Sequence, residues 1–116
     1  MDDSVVSETG VHWHTDIAII IKDKPVALPP DLSGNDLGTQ DSSGKVHWGP
    51  SGHVTANQLR LSVFFKTWGQ PFSSSQILDM HNGPDGTVSM TVNGQPNNEF
   101  ENYQVKDHDN IVIRFE

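Results

Sequence analysis

The stretch from Val11 to Ile21 constrains this chain more than any other. Its odd positions Val11, Trp13, Ile17, Ile19 and Ile21 are apolar, while the even ones run His12, His14, Asp16, Ala18 and Ile20. Alternation of this period marks a strand with one face turned to a core, and the β-branched content agrees. A fold that buries Trp13 and the isoleucines must leave His12 and His14 together on the other face. Residues two apart on a strand have Cα atoms roughly 6.6 Å apart, a separation from which two imidazoles can close on one ion. Asp16 continues the polar row, as a further ligand or as an acceptor for a histidine N–H.

The rest of the chain reads as alternating short elements. Lys22-Asp23-Lys24 makes a turn into a short strand over Val26 to Leu28, ended by Pro29-Pro30. Residues 29–58, with the glycine, serine and aspartate tract from Ser33 to Gly44, are expected to form a long polar loop with one brief strand near Val46. Leu61, Phe64, Phe65 and Trp68 then fall on one side of a short helix, capped by Ser62 and stopped by Gly69 and Pro71. Ser73 and Gln76 have the spacing of a capping box and predict a second helical turn carrying Ile77 and Leu78 inward. Val88, Met90 and Val92 alternate with Thr87, Ser89 and Thr91 up to an Asn93-Gly94 hairpin turn. Tyr103 and Val105 precede a polar turn at Asp107-His108-Asp109-Asn110, and Ile111, Ile113 and Phe115 close the chain as a strand. Hairpin, helix and further strands predict an α+β fold, a mixed sheet with the helix on one face. One domain over 11–116 is expected, preceded by a flexible segment over 1–10.

Composition removes several classes of function. Fifteen acidic against seven basic residues give a formal charge of -8, which repels phosphate backbones and anionic membranes and attracts cations. Nucleic acid is therefore set aside as a partner. The absence of cysteine excludes disulfides, thiolate metal sites, iron-sulfur clusters and cysteine nucleophiles. No Gly-x-Ser-x-Gly elbow and no Walker-type glycine loop is present. The start, Met1-Asp2-Asp3-Ser4, lacks the basic and apolar regions of a signal peptide, and no apolar run approaches the ~20 residues of a membrane span. Either a cytoplasmic protein or one whose leader or anchor has been removed fits those facts.

A metal held here must use nitrogen, oxygen or thioether donors. Two histidines need a third, and Lys45-Val46-His47 and His53 lie in or beside the long loop, with His47 the first choice. Three histidines leave coordination positions open, which suits zinc with bound water or copper. The ligand pattern, though nothing else in the chain, resembles the zinc site of α-type carbonic anhydrases. His81 and His108 sit in expected turns and read as solvated, and Met80 and Met90 read as core filling rather than copper(I) ligands. The His-x-His motif does not make a cupin, because the glutamate expected shortly after His14 is missing. The leading expectation is a copper- or zinc-binding domain that stores, delivers or senses the ion. The alternatives are a metal-free module offering a strand edge or the loop to a protein partner, and a zinc hydrolase or hydratase.

Two resemblances bear on this reading. Val92-Asn93-Gly94 and the run from Asp107 to Ile113 are similar to the closing strands of the β-grasp proteins, ubiquitin and the small sulfur carriers; the Gly-Gly end that carrier chemistry uses is absent, the last residues being Phe115-Glu116. Nearly the whole chain resembles a largely uncharacterised family of small archaeal and bacterial proteins, usually membrane-anchored and facing outside. His12-Trp13-His14 matches its His-x-His on the opening strand. Leu61-Ser62-Val63-Phe64-Phe65-Lys66-Thr67-Trp68-Gly69 matches its Leu-x-x-Phe-Phe-x-x-Trp-Gly, and Val92-Asn93-Gly94 its closing turn. Its His-Thr-His-Asp loop leading through glycine to Ile-His is matched at Asp41, Gly44, Val46 and His47, but Gly38 and Gln40 stand where that family has histidines. The resemblance implies an extracytoplasmic location and a histidine metal site, which here has three histidines, is repositioned onto His53, or is a relic.

Overall fold

A computed structural model describes residues 3–116. In chain order, β1 (Val5–Ser7) leads into β2 (Trp13–Ile21) and β3 (Lys24–Val26). Four short strands follow: β4 (Ser33–Gly34), β5 (Leu37–Gly38), β6 (Lys45–Trp48) and β7 (Val54–Thr55). A 3-10 turn at Ala56–Leu59 runs into α1 (Leu61–Trp68). Next come β8 (Phe72–Ser73), β9 (Gln76–Ile77) and β10 (Met80–His81). The chain closes with β11 (Val88–Val92), β12 (Gln95–Pro96), a 3-10 turn at Phe100–Asn102 and β13 (Asn110–Phe115). The fold is therefore α+β, and none of the described helices is long and apolar enough to cross a membrane.

The main sheet runs β12-β11-β13-β2-β6-β5-β4, with β3 also paired to β2. Its centre is the parallel pair β2 and β13, in which Ile17 meets Ile111 and Ile19 meets Ile113. These four isoleucines are at most 2% exposed, while Asp16, Ala18 and Asn110 between or beside them are exposed, so the pair buries one face. Helix α1 turns Leu61, Phe64 and Phe65 into the same hydrophobic cluster. Its end is set by Gly69, whose left-handed φ of 78° lets its N–H reach back to Phe65 O at 2.8 Å. Arg60, not Ser62, is the N-cap residue, and no side chain caps the helix start.

Other expectations from sequence change here too, and the strand expected over Val26 to Leu28 is β3, at Lys24–Val26. The segment 29–58 is not one loop with a single strand but carries β4 to β7, because isolated apolar residues, Leu37, Val46, Trp48 and Val54, each reach the core. The helical turn expected at Ser73–Gln76 is instead the three-stranded sheet β8-β9-β10. Ser73 Oγ accepts the Ser75 N–H, a local bond that makes a turn rather than a helix cap. Of the segment 1–10 expected to be flexible, Met1 and Asp2 lie outside the described residues; Val5–Ser7 pairs antiparallel with β7, and Asp3 Oδ1 accepts the Asn57 N–H at 2.9 Å.

Candidate metal centre

Strand β2 changes partner along its length, and that change positions the histidines. Its second half pairs with β3, and from Asp16 onward its other edge pairs with β13. Its first half pairs antiparallel with β6, with Trp13 opposite Trp48, His14 opposite His47 and Thr15 opposite Val46. Directly opposed residues project to one face, so His14 and His47 leave the sheet side by side. The pairing continues outward through Val11 N–H to Pro50 O at 2.9 Å and a Gly10–Ser51 bridge. That register sets His12 opposite Gly49, on the face that carries His14.

The ligand nitrogens of His12, His14 and His47 all lie within 4.8 Å of one another. The His12 and His14 rings stack at 5.1 Å between centroids, and the His47 ring meets His14 edge-on at 4.3 Å. Tetrahedral zinc at ordinary Zn–N distances needs donor nitrogens about 3.3 Å apart, so small side-chain rotations bring the three onto one ion. His12 is exposed and the other two are half-buried, open to an ion from solvent. No other group of three or more such ligand residues is found among the described residues.

The core-facing side of the same ladder is closed. Trp48 is 1% exposed, and its indole N–H donates to Thr15 Oγ1 at 3.0 Å. Beyond β2 the turn before β13 takes over: Asp107 Oδ1 accepts the His14 N–H at 3.0 Å and His108 N–H donates to His14 O at 2.8 Å. Partial desolvation, then the neighbouring His47 and His12, hold the His14 imidazole below its ordinary pKa of 6.5. A cationic form is thereby disfavoured and the neutral, metal-binding form favoured near neutral pH.

No protein-family model, curated protein or solved structure matches this chain.

Of the histidines singled out from sequence, the structure brings His12, His14 and His47 together. His53 is placed elsewhere, with its Nδ1 2.7 Å from Glu8 Oε1 and both side chains exposed. His81 and His108 are also exposed, His108 lying 3.3 Å from Asp107. Met90 is buried and Met80 packs against the core. Asp16 is exposed two residues beyond His14 and is not part of the histidine group.

Two features of the centre take their place only in the structure. Asp107 anchors the His14 backbone from the far end of the chain. Gly38 lies directly opposite His47 on β5, so the row across three strands reads His14, His47, Gly38. A side chain at 38 would start 2.7 Å from the Leu32 carbonyl oxygen, so only glycine fits there without movement. Gln40 is exposed and lies outside the strands.

Proposed function

We propose that this protein binds a copper or zinc ion through His12, His14 and His47 and serves to store, deliver or sense it. The observation that carries the reading is the convergence of three imidazoles from two paired strands, with donor nitrogens within 4.8 Å of one another. Three neutral nitrogen donors suit either ion and leave at least one coordination position open. The chain's formal charge of -8 favours approach of a cation. The resemblance to membrane-anchored outward-facing proteins supports an extracytoplasmic setting, and the central strand order β3-β2-β13-β11-β12 with a parallel inner pair supports a β-grasp-like reading of the sheet.

The test is metal analysis of protein purified without a histidine tag, followed by calorimetric titration with zinc and copper(II). His12→Ala, His14→Ala and His47→Ala are each expected to weaken affinity at least tenfold, and His53→Ala to leave it unchanged. Zinc at a hundredfold excess over its Kd should stabilise the fold by ~2.7 kcal/mol. Equal affinity in wild type and all three variants would end the proposal.

A further inference from the structure

The face that carries the three histidines also carries a gap, and the pairing register explains it. Across β2, β6 and β5 one row reads His14, His47, Gly38 and the row beside it runs from His12 to Gly49 and on to Asp36, whose carbonyl accepts the Gly49 N–H at 2.8 Å. The space over Gly38 is closed by the Leu32 carbonyl oxygen, whereas Gly49 leaves bare backbone where a side chain would otherwise stand. A pocket of about 380 Å³ occupies that space, bordered by His12, His47, Gly34, Asp36, Gly38 and Gly49. Small-molecule sites begin at about this size, and two of the three proposed ligands form its wall.

We infer that the metal's open coordination position faces this pocket and takes a planar, neutral aromatic nitrogen donor, an imidazole or a related ring. The inference rests on the metal-binding reading above. Planarity follows from the site's edge, where a flat ring fits over the bare backbone at Gly49 beside the His12 and His47 imidazoles. Neutrality follows from the charges: no lysine or arginine borders the pocket, Asp36 does, and the chain is already acidic. The ion's own positive charge attracts any anion, but a carboxylate would find no cationic side chain in the pocket and would lie near Asp36. An imidazole completes a fourth nitrogen on the ion without that repulsion. The donor has two sources, a free small molecule or a histidine presented by a second copy of the chain, whose His53, His81 and His108 are exposed.

Cobalt(II), a visible-spectrum stand-in for zinc, separates these points. The cobalt form of the intact chain is titrated with imidazole, 4-phenylimidazole and acetate, reading the ligand-field bands. Both rings are expected to shift the bands, 4-phenylimidazole binding at least tenfold more tightly than imidazole because its second ring lies in the pocket, and acetate only at far higher concentration. Gly49→Leu fills the gap, and a Cβ at 49 meets nothing nearer than Asp36 O at 3.9 Å. That variant should bind cobalt as wild type does and lose at least tenfold in affinity for 4-phenylimidazole. If Gly49→Leu fails to hold cobalt, the ratio of the two rings on wild type decides alone. Sedimentation of the cobalt form distinguishes the sources: a monomer assigns the donor to a free molecule, and a dimer dissolved by imidazole assigns it to a second copy. Failure to bind cobalt overturns both this inference and the metal site. Cobalt bound normally, with no preference for the phenyl ring or with acetate binding as tightly as imidazole, overturns this inference and leaves the metal site standing.

Discussion

Placing a histidine at position 38 should damage the protein rather than strengthen metal binding by the histidine cluster. Gly38 sits opposite His47 on the ligand face, so by register alone Gly38→His would add a fourth imidazole to the row. The obstacle is its first carbon. A Cβ there lies 2.7 Å from the Leu32 carbonyl oxygen, closer by more than half an ångström than an ordinary carbon–oxygen contact. Leu32 cannot retreat freely, because its carbonyl accepts the Thr39 N–H at 2.9 Å and its N–H donates to Thr39 Oγ1 at 3.0 Å. Thr39 Oγ1 is itself bonded to Pro29 O at 2.6 Å, and Thr39 is buried. Forcing atoms into such a site costs about 1–3 kcal/mol, which for a domain of this size lowers Tm by roughly 4–12 °C. Gly38→Ala should lose nearly as much, since the clash belongs to Cβ and not to the imidazole. Urea denaturation of both variants, read beside zinc titration, makes the check. Gly38→His as stable as wild type and tighter for zinc would refute the steric argument.

Thr15→Val keeps the shape of the β2 side chain but leaves the buried Trp48 N–H without its acceptor, which is 3.0 Å away in the native protein. The cost should be about 1–3 kcal/mol, seen as a lower urea midpoint at unchanged slope, and a neutral or stabilising effect would count against that bond. Metal-free stability should also depend on acid through His14. Its folded pKa lies below the ordinary 6.5, so the unfolded chain takes up the proton first and the contribution is complete above about pH 6.5 and lost as pH falls through it. Urea midpoints at pH 7.5, 6.5 and 5.5 should fall less steeply in His14→Gln than in wild type, and parallel curves would exclude His14 as a source.

What could be read from sequence divides along one physical line. At the middle of β2, Thr15, Ile17 and Ile19 are buried on one face while Asp16 and Ala18 are exposed on the other, and α1 repeats its apolar spacing over two turns before Gly69; long elements leave a periodic trace. The strands of 29–58 are two to four residues long, too short for any period; β5 and β7 have one buried anchor each, Leu37 and Val54, β6 has Val46 and Trp48, and β4 has none. Ser73 and Gln76 mislead for a related reason, since a serine hydroxyl that caps a helix also closes a turn, and only tertiary pairing chooses between them. The metal centre lies across this line. His12 and His14 were legible because their spacing belongs to β2 alone, whereas the choice of His47 over His53 is made by the β2–β6 register, which no local pattern encodes. The same register decides that the position opposite His12 is Gly49 and the one opposite His47 is Gly38. A glycine in a loop-like stretch looks like a turn former, but across from a ligand it is an absent side chain: at Gly49 that absence shapes the space an ion at this centre would face, while at Gly38 it makes room for the Leu32 carbonyl.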